Sequence, residues 1–491
     1  MRFTSDRPRR PNSPLPFVDE LGCEEGWAGR EGIAVGTPFL LSPLFEYDVA
    51  LNSYFTRELV TNRPATQEAC ARDLAAFLTF LWRSRGERSW RDASEDDHRA
   101  YLVWRRRDPH GPRVAGATWD REVATVNRFY WWALRSGYVT AHPIPQRMRR
   151  AAPAGSEWNG LRARDEMRPA TYSHDASSDR ITWLPPSVYR RWRDVGVRGF
   201  GSDGLPADGF RGRWAARNAV YCDLMVRTGL RVSEQSALSV FEVPRDRGLG
   251  GFQRFRLPAA IAKGGSGRWV YVPPSLLAEL GAYVDFDRAE VVEHARVGGR
   301  YAWPRPWVVE DPRVPVAVRR ADGLEHRVGV AQMDIAQRRE LLVDTTAGVE
   351  PAAFWLGERG LPLSVSAWKG MFRDANIRCR RAGLAVDCHP HALRHTFAVV
   401  TLEQLQRGHI DALVSMNPQQ RTHYTRIFGD PLDWVRRRLG HRSVTATMVY
   451  LHALAELEMH TRMKLVPDEW EDVRVELQGD AGSDSAAQAL R

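Results

Sequence analysis

Two stretches between residues 151 and 181 constrain what this chain can fold into. Ala151-Ala152-Pro153-Ala154-Gly155-Ser156 and Ser173-His174-Asp175-Ala176-Ser177-Ser178-Asp179 have the composition of a linker. Small, polar and turn-forming residues bury too little apolar surface to offset the entropy lost on ordering. They divide the chain into a unit over 46–150 and a larger one over 182–466. Residues 1–45, rich in Pro, Gly and charge without a sustained period, read as an N-terminal arm. Residues 467–491, acidic and then rich in Gly, Ser and Ala, read as a flexible tail.

Helical periodicity dominates the first unit. Leu74, Phe77, Leu78, Leu81 and Trp82 share a stripe after a candidate N-cap at Thr66. Ser94 is the expected cap of a second helix carrying Tyr101, Leu102 and Trp104. Thr118 is the expected cap of a third, with Val123, Val126, Phe129, Tyr130 and Ala133 inward and Gly137 closing it. In the second unit helical patterns fall near 186–195, 213–228, 364–382, 391–407, 432–439 and 444–463. A strand pair is predicted at Phe252–Leu257 and Trp269–Val272, and 285–350 has little clear period. The expected class is mainly α with a small antiparallel β-sheet, an α+β fold.

The 491 residues include 70 Lys and Arg against 60 Asp and Glu, a formal charge of +10 that favours a polyanionic partner, nucleic acid first. Only Lys263, Lys369 and Lys464 are lysine. Arginine cannot release a proton near neutral pH and lysine can, so each lysine invites a question. No apolar run approaches the roughly 20 residues that span a bilayer, and the first residues lack the apolar stretch of a signal peptide. The expectation is a cytoplasmic, nucleoid-associated protein without membrane contact. Five scattered cysteines (Cys23, Cys70, Cys222, Cys379, Cys388) fit reduced thiols rather than a disulfide framework.

Four segments carry chemistry. In Thr228-Gly229-Leu230-Arg231-Val232-Ser233-Glu234 a helix is expected to end at Gly229 and another to be capped by Ser233. Arg231 then sits between two helix ends as a phosphate clamp, and Glu234 locks its guanidinium from behind. Ala262-Lys263-Gly264-Gly265-Ser266-Gly267-Arg268 lies between the two strands, and its glycines permit a tight hairpin with Lys263 near the tip. It is not a Walker loop, since the spacing is wrong and no helix follows at once. In His389-Pro390-His391-Ala392-Leu393-Arg394-His395-Thr396-Phe397-Ala398, Pro390 starts a helix. His391 and Arg394, three apart, share a face at an N-terminus that favours anions. Leu439-Gly440-His441 is followed nine residues later by Tyr450. Each segment alone reads as ordinary structure: a surface arginine, a solvated lysine, a half-buried tyrosine. Cys388, His389, His391 and His395 lack a second Cys/His pair at finger-like spacing, so no metal is expected.

Taken in order, these segments resemble the tyrosine recombinase family, the lambda-type phage integrases and their relatives. That family shows an arginine in Thr-Gly-Leu-Arg-x-Ser-Glu, a lysine in a strand hairpin, His-x-x-Arg at a helix start, a Leu-Gly-His turn and a tyrosine nine residues beyond. The resemblance spans about 183–466, and 46–150 resembles the family's core-binding domain more loosely. It implies a catalytic set of Arg231, Lys263, His391, Arg394, His441 and Tyr450 with Glu234 in support. The implied activity is site-specific DNA cleavage and rejoining through a 3′-phosphotyrosyl link, serving integration or excision of a mobile element. Arg231 and Arg394 would bind the non-bridging oxygens, Tyr450 would attack with His391 as base, Lys263 would protonate the 5′-oxygen, and His441 would hydrogen-bond the phosphate. The arginines would lower the phenol's pKa, and no cofactor is needed.

The expected partners are double-stranded DNA, a homo-tetramer on two DNA sites and accessory recombination proteins. Arg105, Arg106, Arg121 and Arg128 are candidate DNA contacts on the helical unit. Two spacings are longer than usual: 128 residues from Lys263 to His391 and 47 from Arg394 to His441. They mark insertions near 285–350 and 408–430. The first carries Arg296, Arg300, Arg305, Arg319 and Arg320, expected to meet DNA or a neighbouring protomer; the second holds Tyr424, a rival nucleophile. Two other readings stay open: a DNA-binding regulator of the same fold that has lost catalysis, and a type IB topoisomerase-like enzyme.

Overall fold

The computed structural model describes residues 1–4, 32–148, 167–173, 181–414 and 430–454, apart from 202, 211, 247, 249–250, 322, 444–445 and 452. Tyr424, Lys464, Cys23, most of the linker and the tail lie outside the described residues. The chain divides into two compact units, Met1–Ser177 and Ser178–Arg491.

The first unit is helical: α1 (Val49–Ser53), α2 (Pro64–Ser84), α3 (Glu95–Arg106) and α4 (Gly116–Arg135). Two short pairs flank them, β1 (Arg2–Phe3) with β2 (Pro38–Phe39) and β3 (Gln146–Met148) with β4 (Met167–Pro169). Leu74, Phe77 and Leu81 of α2 and Val123, Val126, Phe129, Tyr130 and Ala133 of α4 are buried in one cluster. Aromatic rings fill it edge to face, Phe77 on Tyr101 at 5.1 Å and Tyr54 on Phe129 at 5.3 Å. Ser94 caps α3 as expected, with Asp97 closing the capping box. Thr66 and Thr118 cap nothing. Pro64 at the first position starts α2 three residues earlier, and α4 starts at Gly116.

Two of the arginines expected to contact DNA pair with buried carboxylates. Arg105, with 14% of its side chain exposed, forms a two-pronged bond with buried Glu122, which also accepts from the Tyr101 hydroxyl. Arg121 holds buried Asp73 at 2.5 Å. Arg106 donates to the Val114 carbonyl, and Arg128 is exposed. Arg105→Ala would strand the Glu122 carboxylate in the core. It is expected to destabilise this unit by about 3–5 kcal/mol, read as a lowered midpoint of its thermal transition.

The second unit is built around α6 (Ala215–Thr228), buried along almost every residue from Ala219 to Met225. Around it lie α5 (Pro186–Trp192), α7 (Val232–Ser236), α8 (Pro274–Ala282), α9 (Ala289–Val297), α10 (Ile335–Arg339), α11 (Val365–Arg381), α12 (Pro390–Val414) and α13 (Pro431–Leu439). Tyr221 of α6 stacks on Trp368 of α11 at 3.5 Å, and Trp192 packs on Phe372. Gly196 lets this packing close, since a Cβ there would lie 2.8 Å from the Cys379 sulfur. β5 (Gln253–Leu257) and β6 (Arg268–Val272) form an antiparallel pair, each within a residue of expectation. A further helical segment at 446–451 packs with α12 and α13 through Tyr450, Phe397, Leu402, Val435 and Leu439.

The 285–350 stretch holds more order than its sequence announces. β7 (Trp307–Val309), β8 (Val316–Ala321), β9 (Leu324–Gly329), β10 (Leu341–Thr345) and β11 (Gly348–Pro351) form one sheet in the order β11-β10-β7-β8-β9. The pair β10–β7 is parallel and the others antiparallel. Trp307, Val309, Ala317, Met333, Leu341 and Val343 give the sheet its own core. Arg338, almost fully buried, pairs with Glu242 at 2.9 Å and joins the sheet to the rest of the unit. Its arginines pair largely at the surface. Arg296 pairs with Glu293 and Glu350, Arg319 with Glu340, and Arg320 with Glu310 and Glu325, while Arg300 donates to the Arg359 carbonyl. The fold is mainly helical with small sheets, the α+β class, and the largest sheet is mixed rather than antiparallel.

Candidate active site

Two helices of the second unit end on left-handed glycines. Gly229 (φ 64°) closes α6 and Gly440 (φ 65°) closes α13. A Cβ at Gly229 would lie 2.4 Å from the Phe397 ring, and one at Gly440 2.9 Å from Ser266 Oγ, so glycine is required on both counts. Helix ends leave carbonyls without partners. Arg394, from the second turn of α12, supplies them: its guanidinium donates to the Gly229 carbonyl and, at 2.5 Å, to the Leu439 carbonyl. With 1% of the residue exposed, this arginine draws three of the sequence segments to one point. Burial, with Arg231 and Arg268 nearby, pulls its pKa down to about 9.

Arg231 precedes α7, which begins at Val232, so Ser233 lies inside the helix and does not cap it. The cap is Glu234: its carboxylate accepts from the Arg231 backbone N–H at 3.0 Å and from the Arg231 guanidinium at 2.8 Å. Arg268 of β6, almost fully buried, donates to the same carboxylate at 2.6 Å. Burial alone would raise the Glu234 pKa, but the bonds from Arg268 and Arg231 bring it down to about 2.

Residues 258–267 between β5 and β6 form a longer loop than the tight hairpin expected. Lys263–Gly265 make a 3-10 turn with positive φ at Gly264 and Gly265. Lys263 is exposed on this loop. Arg442, just past the Leu-Gly-His turn, donates to the Gly264 carbonyl at 2.6 Å and ties the two loops together.

Arg231, Lys263, His391 and Arg394 line one cavity of about 570 Å³. Lys369, Arg373 and Arg380 of α11 also line it, and among the described residues no carboxylate does. His391 is exposed at the first turn of α12, where His389 Nδ1 accepts from the Ala392 N–H at 3.1 Å. His441 Nδ1 pairs with Thr447 Oγ1 at 3.0 Å, and its ring lies nearly parallel to that of Tyr450, 6.2 Å away. Among the described residues no three His, Cys, Asp or Glu form a group able to hold a metal ion.

Tyr450 is 2% exposed. Burial raises its pKa, and the opposing pull of Arg394 and Arg231 does not overcome that. The expectation of a lowered phenol is therefore reversed in the free protein, because a desolvated phenolate loses more than the arginines return. The hydroxyl is bound by His395 Nδ1 at 3.1 Å and not by His391, one turn earlier on α12. Sequence reasoning gave no role to His395, Arg268 or Lys369. The spacing of His395 four residues after His391, on the same helical face, was the available signal for the first.

Comparison with known proteins shows what the chain is similar to. Residues 54–137 match the family model for the phage integrase N-terminal SAM-like domain. The chain is 20% identical over 389 residues to the tyrosine recombinase XerC of Lactobacillus delbrueckii subsp. bulgaricus, covering 79% of this chain and 88% of that protein. It is 36% identical over 105 residues to the tyrosine recombinase XerD of Corynebacterium glutamicum, covering 21% and 25%. A solved structure of the Tn1549 transposon integrase with transposon right end DNA superimposes with a TM-score of 0.43 at 13% identity, covering 84% of this chain and 98% of that one. Residues 54–137 thus match a domain of phage integrases, and most of the chain is similar to curated tyrosine recombinases. Among the described residues no helix is long and apolar enough to cross a membrane.

Proposed function

We propose that this protein is a tyrosine recombinase that cleaves and rejoins double-stranded DNA at specific sites through a 3′-phosphotyrosyl link to Tyr450, and that it serves integration or excision of a mobile element. What supports the reading most is the Arg394 guanidinium, bonded to the helix ends that precede Arg231 and His441. In this reading Arg231 and Arg394 hold the non-bridging oxygens of the scissile phosphate and stabilise the added charge of the pentacoordinate transition state. Glu234 and Arg268 set the angle of Arg231. His441, oriented by Thr447, donates to the phosphate. Lys263, on its exposed loop, gives a proton to the leaving 5′-oxygen. The bond energy is kept in the phosphotyrosyl link, so religation needs no cofactor. Two cuts on each of two duplexes call for four protomers, with accessory proteins setting direction. Residues 46–150 act as the core-binding module, with exposed Arg128 among its phosphate contacts.

The test is a nicked duplex that loses its 5′-hydroxyl fragment on cleavage, built on a site that the protein binds. The expected result is a covalent adduct on a denaturing gel and recombination of a two-site plasmid. Bound DNA with no adduct would move the assignment to a silent DNA-binding regulator. Plasmid relaxation without two-site recombination would move it to a topoisomerase.

A further inference from the structure

We propose that His395 is a catalytic residue, the base whose Nδ1 takes the proton from the Tyr450 hydroxyl as it attacks. This rests on the reading of Tyr450 as nucleophile. Three imidazoles stand near that tyrosine. His391 is exposed at the cavity, and its ring lies 4.3 Å from that of His395. His441 is turned ring-parallel to Tyr450 with its Nδ1 engaged by Thr447. Among the described residues only His395 makes a hydrogen bond to the phenol oxygen, at 3.1 Å.

The direction of that bond follows from the states of the two groups. Burial keeps the phenol protonated, so it is the donor. Burial, with His391 and Arg394 close by, holds His395 neutral, its pKa down at about 3. A neutral ring that accepts at Nδ1 carries its own proton on Nε2. His395 is therefore already in the form a base needs: an unprotonated nitrogen on the proton it must remove. The surrounding cations oppose an imidazolium in the free protein. A scissile phosphate brings negative charge to the same arginines, and the pentacoordinate transition state brings more, which raises the proton affinity of His395 as it is called upon.

The step balances. The Tyr450 oxygen forms its bond to phosphorus while its proton passes to His395 Nδ1. The bond from phosphorus to the 5′-oxygen breaks, and that oxygen takes a proton from the Lys263 ammonium. Religation runs both transfers backward.

His395→Asn places an amide near Nδ1 that can accept a hydrogen bond but not hold a proton. Adduct formation would be timed in single turnover on two nicked duplexes, one with the ordinary 5′-oxygen and one with sulfur in the bridging position. Sulfur leaves without a proton. The expected result is a rate about 10²–10⁴-fold below wild type for His395→Asn on both substrates, with DNA retention on a native gel unchanged. Lys263→Ala is expected to be slow on oxygen and restored on sulfur. A His395→Asn rate within threefold of wild type, or its restoration by sulfur, would overturn the inference, as would a loss confined to His391→Asn. If the asparagine variant no longer retains DNA, His395→Gln is measured against the same outcomes. Tyr450→Phe is run alongside. An adduct from it sinks both the nucleophile and its base, whereas a silent Tyr450→Phe beside an active His395→Asn sinks only the base.

Discussion

Tyr450→Phe is expected to leave no covalent adduct on the nicked duplex, a fall of at least about 10⁴-fold, while Tyr424→Phe keeps the wild-type rate. The change removes one oxygen and leaves the ring in its contacts with the segment that packs Phe397, Leu402 and Val435. The lost partner of His395 costs about 1 kcal/mol, too little to unfold the unit. DNA retention therefore survives and only the chemistry goes. An adduct that persists in Tyr450→Phe and vanishes in Tyr424→Phe would transfer the nucleophile to the second insertion.

Glu234→Ala carries a large expected effect on the stability of the second unit. The carboxylate is fully buried and holds Arg231 and Arg268 together. Its removal strands two cations near a third, Arg394, and is expected to destabilise the unit by about 3–5 kcal/mol. Glu234→Gln separates charge from shape. The folded pKa, near 2, lies below the usual value of about 4.3. A depressed folded pKa gives stability that is complete above the unfolded value and is lost as pH falls toward the folded one. The gap between wild type and Glu234→Gln in urea unfolding should thus be full at pH 7 and shrink between about pH 5 and pH 2. An unchanged gap at pH 3 would mean that the carboxylate is not held as an anion by its arginines.

What the sequence disclosed follows from what is local. The buried faces of α2 and α4, the glycine end of α6 and the strand pair β5–β6 depend on residues within a few turns, and period or turn chemistry exposes them. The caps at Thr66, Thr118 and Ser233 were misplaced because Pro64 outranks a hydroxyl as a start signal and because Glu234 caps from within the helix. The mixed sheet over 307–351 was hidden by strands of three to six residues, too short to establish alternation. The motif arginines could be named from spacing, but the Arg268–Glu234 pair and the His395–Tyr450 bond join positions 34 and 55 residues apart. Nor does sequence reveal that Arg105 and Arg121 spend their charge on buried carboxylates.

The guanidinium of Arg394 gives the pocket a single rivet. One planar fork spans the ends of α6 and α13, so the spacing of those ends is set by the width of a guanidinium rather than by separate packing of each helix. Lysine, with one ammonium on a flexible stem, can serve either carbonyl but offers no such gauge. Substitutions along these helices are free to accumulate only where the gauge is left undisturbed, and a change at position 394 releases both helix ends in the same stroke.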